Sequence, residues 1–216
     1  MIGETASLPG RRAPRAQQRA ATRLALVEAT MACLAEDGYA ALTTRSIAER
    51  AGVAQSTLMH HYATREALLV EAVTHAAMRL ADNALEEIDL AALRSPKSRE
   101  AVLDRAWREF TSPEALAAAQ LWVAAWSEPE LASTLRGLEQ RLGAIIVATA
   151  GTLFPDESED PRFLALIDTA VSVIRGLVTA IPISGRASVD ERWEAVKPIL
   201  LHATESVLDT RPDAAG

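Results

Sequence analysis

The four histidines and the single cysteine are the residues best suited to bind a metal or to act in catalysis, and their spacing argues against both roles. His60 and His61 are adjacent and would face different directions on a helix, while His75 and His202 stand alone. Cys33 lies in an apolar helical pattern, which is typical of a core residue. The sequence contains no glycine-rich phosphate loop and no Gly-x-Ser-x-Gly elbow. We therefore expect no metal, no cofactor and no enzymatic activity.

Hydrogen bonding to a nucleic acid is a chemistry open to the polar side chains between residues 55 and 60. Hydroxyl, amide and imidazole groups that share the exposed face of a helix can meet base edges or phosphate oxygens. The outward positions of such a helix are Gln55, Ser56, Thr57 and His60. Taken alone, these side chains would be interpreted as ordinary surface residues. Whether they contact DNA depends on the helices that carry them.

Charge is distributed unevenly along the chain. The formal net charge is −7, yet residues 1–80 carry +2 and residues 81–216 carry −9. Residues 11–23 contain five arginines and no acidic residue. A basic end on an acidic protein is typical of contact with a polyanion, although a solvated tail has the same composition. We predict a disordered basic arm at 1–14 and a disordered tail at 211–216.

Two short helices are predicted between residues 43 and 62. A longer helix at about 15–36 ends near Gly38, because glycine accepts the left-handed conformation that closes a helix. Thr43 can cap the first short helix, and Gly52 permits a tight turn before the second. Two short helices joined in this way form a helix-turn-helix, whose second helix enters the DNA major groove.

A dense series of motifs covers about sixty residues around this helix-turn-helix. The motifs are Gly38-Tyr39, Thr43-Thr44, Ile47-Ala48, Ala51-Gly52-Val53, Leu58-Met59-His60-His61-Tyr62 and Arg65-Glu66-Ala67-Leu68-Leu69. They resemble the signature of the tetracycline-repressor (TetR) family of bacterial one-component regulators. The resemblance implies an all-α, nine-helix protein with a DNA-binding domain at 15–63 and an effector-binding and dimerisation domain at 64–210. It also implies a homodimer on double-stranded DNA, most often a repressor, with a pseudo-palindromic operator.

The resemblance and the helix geometry together give a set of predicted DNA-binding residues. Free N–H groups at the start of the first short helix favour a phosphate near Thr44. His61 could contact a phosphate or simply satisfy a local carbonyl. The full set is Arg15, Arg19, Thr44, Arg45, Gln55, Ser56, Thr57, Met59, His60, His61 and Arg65.

Three positions in this region depart from the family pattern. Ala54 stands where the family commonly has a serine that caps the recognition helix, and loss of a cap costs on the order of 1 kcal/mol. The helix could therefore start later, toward Ser56, or fray. Met59 replaces a tyrosine that often contacts a phosphate. Arg65 replaces the usual lysine and keeps a cation at the start of the fourth helix.

The remainder of the chain is also predicted to be helical. Hydrophobic residues make up 49% of the 216 residues but aromatic residues only 4%, which favours packed helices over β-sandwiches. Capping residues, with proline at the first helical position, predict helix starts after Thr64, at Pro96, at Pro113, at Pro129, at Pro161 and near Ser188. The longest uncharged apolar run, 142–155, is shorter than the roughly 20 residues of a membrane span, so no membrane partner is expected. A lone cysteine fits a reducing cytoplasm.

Candidate residues for an effector pocket are the apolar and aromatic side chains of the middle helices. They are Met78, Trp107, Phe110, Trp122, Trp126 and Phe154, with Arg175 as a buried-looking cation. An aromatic cage would suit a quaternary ammonium ligand, but the same residues could pack on one another. If Arg175 does not pair with Asp168, a carboxylated ligand becomes plausible. The fourth helix is expected to be the one continuous element that links this pocket to the DNA-binding residues.

The helix at about 163–181 is apolar on nearly every side, so it must be buried in its own domain or against a second copy. We expect it to form a four-helix dimer interface with the last helix, at about 189–209. The predicted interface residues are Ile174, Val178, Trp193 and Leu200. An alternative to the regulator hypothesis is a helical small-molecule-binding protein or enzyme without a DNA function.

Overall fold

A computed structural model of the chain describes residues 15–86 and 96–208. The described residues form nine α-helices and one 3₁₀ turn and contain no strand, which confirms the predicted all-α class. The helices are α1 Arg15–Asp37, α2 Thr44–Arg50, α3 Gln55–His61, α4 Arg65–Glu86, α5 Pro96–Phe110, α6 Pro113–Ala124, α7 Pro129–Leu153, α8 Pro161–Ser184 and α9 Arg186–Leu208, with the 3₁₀ turn at Tyr39–Ala41.

Most helix starts lie where the capping residues predict them. Thr43 and Ser46 form a capping box on α2, because each side chain hydrogen-bonds to the backbone N–H of the other at 3.0 Å. Thr64 accepts the Ala67 N–H at the start of α4, and Ser112 accepts the Ala115 N–H at the start of α6. Helices α5, α7 and α8 begin at the predicted prolines.

The start of α9 is a correction to the prediction. Ser188 was expected to mark it, but the helix begins at Arg186. Gly185, with φ of 79°, ends α8, and the chain re-enters a helix at the next residue. Helix α8 also continues through Pro182 to Ser184.

Two clusters of buried side chains hold the helices together. The larger cluster joins α1, α2, α3 and α4 to α6 and α7, and it includes Leu34, Leu58, Leu121 and Leu138, all fully buried. The smaller cluster joins α5, α8 and α9 around Trp193. The core therefore runs across the predicted domain boundary between residues 63 and 64, because α4, α6 and α7 pack against the helices that precede it.

Candidate nucleic-acid interface and cavity

The helix-turn-helix presents one apolar face to the core and one polar face to solvent. Ile47 on α2 and Leu58 on α3 are fully buried, and Tyr62 closes the end of α3 with 5% exposure. Gly52 has φ of 68°, in the left-handed region, and it carries the turn between the two helices. On α3, Gln55, Ser56, Met59 and His60 are exposed, while Thr57 and His61 are half-buried.

The first turn of the recognition helix α3 has no side-chain cap. Ala54 occupies the N-cap position in extended conformation, with φ of −68° and ψ of 145°, and α3 begins at Gln55 rather than at Ser56. Gln55 instead donates a hydrogen bond of 2.9 Å from Nε2 to Thr44 Oγ1. This bond joins the first residue of α3 to the first residue of α2, so two predicted DNA-binding side chains are held together.

Basic side chains of α1 lie beside the C-terminal end of α3. Burial lowers the pKa of His61, and the nearby positive charges, first that of Arg19, lower it further. Arg23 donates from Nε to Glu71 Oε1 at 2.6 Å, and its guanidinium lies 5.3 Å from the ring centroid of Tyr62. Arg15 and Arg19 are exposed in the first turns of α1. This end of the helix-turn-helix is therefore electropositive, and His61 is neutral near pH 7.

Arg45 and Arg65, two further predicted phosphate ligands, differ in how far they are engaged within the chain. Arg45 is exposed and pairs with Glu49 at 2.8 Å. Arg65 is half-buried, and it donates from Nη1 to the Leu42 carbonyl at 2.9 Å and from Nη2 to the Tyr39 hydroxyl at 2.9 Å. Because these donors are used inside the protein, Arg65 orders the turn before α2, and we do not include it in the proposed DNA surface.

Tyr39 connects the DNA-binding helices to the start of α7. Its hydroxyl accepts the Arg65 hydrogen bond and donates one of 3.1 Å to Glu128 Oε2, at the N-cap of α7. Next to it, a Cβ placed on Gly38 would lie only 3.3 Å from Gln120 Oε1 of α6. The expectation that α4 alone links the two regions is therefore wrong, because α6 and the start of α7 also contact the DNA-binding helices. The sequence alone does not reveal these contacts, because the residues that make them are far apart along the chain.

A cavity of about 500 Å³ lies between α4, α5, α6, α7 and α8. Four of the predicted pocket residues line it: Phe110, Trp122, Trp126 and Arg175. Most of the remaining lining is alanine, valine, leucine and isoleucine. The volume lies within the range of about 300 to 1,000 Å³ found for small-molecule sites.

Three predicted pocket residues lie outside the cavity wall. Met78 is 54% exposed on the outer side of α4. Trp107 stacks on Trp193 with ring centroids 5.0 Å apart, and its Nε1 donates to Asp190 Oδ1 at 2.9 Å. Phe154 packs edge-on against Phe163. The sequence indicates that an aromatic side chain is buried but not which helix it packs against. In the structure, Trp107 of α5 packs against α9 and not against the cavity.

Arg175 is paired with a residue that sequence spacing did not identify. It forms an ion pair with Glu139 Oε1 of α7, and its guanidinium lies 5.4 Å from the ring centroid of Trp122. Glu139 Oε2 accepts a hydrogen bond of 2.9 Å from Trp122 Nε1. Three helices thus contribute to one network at the cavity wall. The separation of 36 residues between Arg175 and Glu139 explains why local spacing missed the pair.

The predicted dimer-interface residues are a further correction. Ile174, Val178, Trp193 and Leu200 are each at most 5% exposed in the single chain. They pack in the cluster between α5, α8 and α9, and Ile174 and Val178 also line the cavity. When a helix is apolar on every side, its sequence does not show which side packs within its own chain and which side is left for a partner.

The opposite face of α8 is exposed. Of the helices in the described parts of the chain, α8 is the one long and apolar enough to span a membrane, and 11% of its most apolar window is buried. Length and composition do not separate a membrane helix from one that packs on a second chain. Within residues 15–86 and 96–208, no group of three or more His, Cys, Asp or Glu side chains could hold a metal ion.

A helix-turn-helix with an exposed polar recognition helix, joined to a helical domain with an apolar cavity, defines a DNA-binding transcriptional regulator. Residues 26–72 match the family described as bacterial regulatory proteins, tetR family. This match runs from within α1 to within α4, so the helix-turn-helix region of the chain is similar to that of TetR-family regulators.

Similar proteins cover most of the chain. The HTH-type transcriptional regulator BetI of Rhizobium meliloti (strain 1021) is 29% identical over 187 residues, which are 82% of this chain and 88% of that protein. A TetR-family regulator structure from Rhodococcus sp. has a TM-score of 0.64 at 20% identity and covers 88% of this chain and 99% of its own. A regulator structure from Streptomyces coelicolor A3(2) has a TM-score of 0.62 at 20% identity, with the same coverage. The two structures share the fold of this chain.

Proposed function

We propose that this regulator is a homodimeric repressor that binds a pseudo-palindromic operator and releases it when a small molecule enters the cavity. The proposal rests on the presence, in one chain, of an exposed polar recognition helix and an apolar cavity. Helix α3 exposes Gln55, Ser56, Met59 and His60, and a cavity of about 500 Å³ lies behind helices that contact the helix-turn-helix.

The DNA surface that we propose consists of the exposed side of α3 and the adjacent helix starts. Gln55, Ser56, Thr57, Met59 and His60 would face the major groove, with base edges within reach of the amide and imidazole groups. The start of α2, with Thr44 and Arg45, would meet phosphate through its free N–H groups. Arg15, Arg19 and His61 would contact the DNA phosphate backbone near the C-terminal end of α3. The positive charges at that end support this placement of the DNA.

A direct test measures operator binding by fluorescence anisotropy, using DNA that flanks the protein's own coding region. We expect specific binding whose affinity falls steeply with salt, because phosphate contacts release counterions. His60→Ala should weaken specific binding at least tenfold, since a lost base contact is worth about 1–3 kcal/mol per site. His75→Ala, which removes an exposed histidine on α4 outside both the proposed DNA surface and the proposed dimer surface, is the matched control and should bind as the wild type does. Absence of salt-sensitive specific binding would reject the proposal.

The exposed faces of α8 and α9 support the dimer. Small side chains and one glycine recur every three or four residues along the outer side of α8, so a second helix could approach closely. They are Ala165, Thr169, Ser172, Gly176 and Thr179; all are exposed in the single chain, and Gly176 and Thr179 also line the cavity. Ile183 on α8 and Ile199 on α9 are 89% and 68% exposed, so a second copy that covers these helices would remove two large apolar side chains from water. Two copies would bury both helices in a four-helix interface.

Ser172→Arg tests this interface, because a long charged side chain in the middle of the α8 face would prevent close approach. Sedimentation velocity at micromolar concentration should then give a monomer, while wild type gives a dimer. Ser133→Arg places the same side chain on the exposed side of α7 and should leave the dimer intact. A monomeric wild type would contradict the interface. In the operator-bound dimer, the two α3 helices should lie about 34–36 Å apart, which is one DNA turn.

The ligand response that we propose acts through α6 as well as α4. Trp122 on α6 and Trp126 in the turn after it line the cavity, and Gln120 on α6 lies against Gly38 of the DNA-binding region. A ligand can change operator affinity only if it binds one arrangement of these helices better than the other. Displacement of α6 by a ligand would be transmitted to Tyr39 through Glu128, which lies four residues after the end of α6.

A further inference from the structure

We propose that the cavity binds an uncharged hydrophobic molecule and discriminates against both anions and cations. The inference rests on the proposed function, since it concerns the same cavity, but it can be tested without DNA. It is carried by the charged side chains of the wall, because those in the described parts of the chain are already engaged with one another.

The formal charges of the described lining residues cancel. The charged residues of the lining are two arginines and two glutamates: Arg105, Arg175, Glu109 and Glu114. Arg105 pairs with Glu109 at 2.6 Å, and Glu114 accepts a hydrogen bond of 3.0 Å from Arg79. Arg175 pairs with Glu139. A charged ligand would therefore have to break an existing ion pair. The cost is largest at Arg105 and Glu109, whose side chains are 10% and 18% exposed, and smaller at Arg175 and Glu139, which are 31% and 45% exposed.

An anion is disfavoured at Arg175, the cation that would otherwise attract it. Both oxygens of Glu139 are used, one by Arg175 and the other by Trp122 Nε1. A ligand carboxylate beside Arg175 would be repelled by Glu139, or would have to displace a carboxylate held by two partners. The carboxylated ligand considered in the sequence analysis would therefore find Arg175 already paired with Glu139.

A cation is disfavoured at Trp122 for a related reason. The face of an aromatic ring can attract a cation, but the Arg175 guanidinium already lies 5.4 Å from the Trp122 centroid. A quaternary ammonium placed near this ring would meet the positive charge of Arg175. The same network of three residues therefore acts against both kinds of ion.

The two threonine hydroxyls of the wall are also engaged. The Thr149 hydroxyl donates to the Ile145 carbonyl at 2.8 Å, and the Thr179 hydroxyl donates to the Gly176 carbonyl at 2.8 Å. Trp126, 93% exposed, lies where the cavity reaches the surface. Recognition inside the cavity must then come from apolar contact and shape, which favours a hydrophobic ligand.

The test compares three probes that share a ten-carbon chain and differ in charge: 1-decanol, decanoate and decyltrimethylammonium. Binding to the full-length protein is measured by isothermal titration calorimetry at concentrations below micelle formation. We expect 1-decanol to bind at least tenfold more tightly than either ion. Binding of decanoate or decyltrimethylammonium as tightly as 1-decanol would overturn the proposal, and so would no binding of 1-decanol.

Two variants tie the selectivity to the named residues. Glu139→Gln keeps an acceptor for Trp122 but removes the charge opposite Arg175, so decanoate should gain at least tenfold relative to 1-decanol. Glu130→Gln, an exposed position on the same helix, is the control and should leave the ratio unchanged. Ala119→Phe narrows the cavity and should weaken 1-decanol binding at least tenfold, whereas Ala144→Phe on the exposed side of α7 should not.

These measurements separate the ligand class from the proposed function. If 1-decanol binds selectively but leaves operator affinity unchanged, the cavity selectivity stands and ligand-responsive repression by such molecules fails. If Glu139→Gln folds as judged by circular dichroism but still prefers 1-decanol by the wild-type ratio, the role assigned to the network is wrong.

Discussion

Ala54→Ser should stabilise the recognition helix, because Ala54 occupies the N-cap position of α3 without a side-chain hydrogen bond. The N–H groups in the first turn of a helix have no acceptor within the helix. Ala54 already has the extended backbone of an N-cap, with ψ of 145°, so a serine there needs no rearrangement. Its hydroxyl oxygen could accept from the backbone N–H of Ser56, whereas the Thr57 N–H already donates to the Ala54 carbonyl at 2.9 Å.

The expected gain follows from a comparison within the same motif. Helix α2, also seven residues long, has a complete capping box between Thr43 and Ser46. A serine cap in place of alanine is worth about 1 kcal/mol. If α3 opens locally, this free energy should slow hydrogen exchange of the Leu58 amide about fivefold. For unfolding of the whole domain, it should raise the urea midpoint by about 0.3–1 M when the denaturant slope is about 1–3 kcal/mol/M.

The assay is native-state hydrogen exchange by NMR together with urea unfolding followed by circular dichroism. Ala63→Ser introduces the same side chain at an exposed position between α3 and α4 and should change neither measurement by more than about 0.5 kcal/mol. Thr43→Ala removes the existing cap of α2 and should destabilise by about 1 kcal/mol. Unchanged or faster exchange at Leu58 in Ala54→Ser would refute the argument that α3 lacks a cap.

Further predictions concern other contacts of the DNA-binding region. Tyr39→Phe removes the hydroxyl that links α4 to the start of α7 and should lower the free energy of unfolding by about 1–2 kcal/mol, measured by urea unfolding at pH 7. The hydrogen bond from Arg23 lowers the pKa of Glu71 below 4.5, so its stabilisation is complete above that pH and is lost as pH falls through the folded value. Glu71→Gln should therefore show a shallower loss of stability between pH 5 and pH 3 in urea titrations. Gly52→Ala should lower the free energy of unfolding by about 1–2 kcal/mol, because the added methyl group has room but alanine disfavours the left-handed φ of this position. Gly137→Ala inside α7 should raise the free energy of unfolding by about 0.5–1 kcal/mol, and thermal unfolding measures both.

Local signals in the sequence were sufficient for the helices and for the helix-turn-helix. A cap such as Thr43 or a proline such as Pro113 acts within one turn, so its consequence can be derived from a few neighbouring residues. The alternation of buried and exposed positions on α3 is set by the same short-range geometry. These features depend little on the rest of the chain.

Contacts between distant helices could not be predicted in the same way. The Glu139 partner of Arg175 and the Glu128 partner of Tyr39 lie 36 and 89 residues away, and their meeting depends on how the helices cross. Trp107 illustrates the same limit, since its apolar position was consistent with the cavity but the crossing of α5 and α9 stacks it on Trp193. Apolar character predicts burial of a side chain and does not identify the surface that buries it.

The placement of the four tryptophans makes the chain a spectroscopic reporter of its own C-terminal half. Trp107, Trp122 and Trp193 lie on α5, α6 and α9, Trp126 lies in the turn after α6, and the DNA-binding helices contain no tryptophan. Trp126 is almost fully exposed, so its emission should be red-shifted and readily quenched by iodide, whereas the stacked, buried pair formed by Trp107 and Trp193 should be shielded. Two parallel indole rings 5.0 Å apart should also give an excitonic signal in circular dichroism. A chromophore attached to DNA could thus follow operator release while intrinsic fluorescence follows the cavity, in the same sample and without a label on the protein.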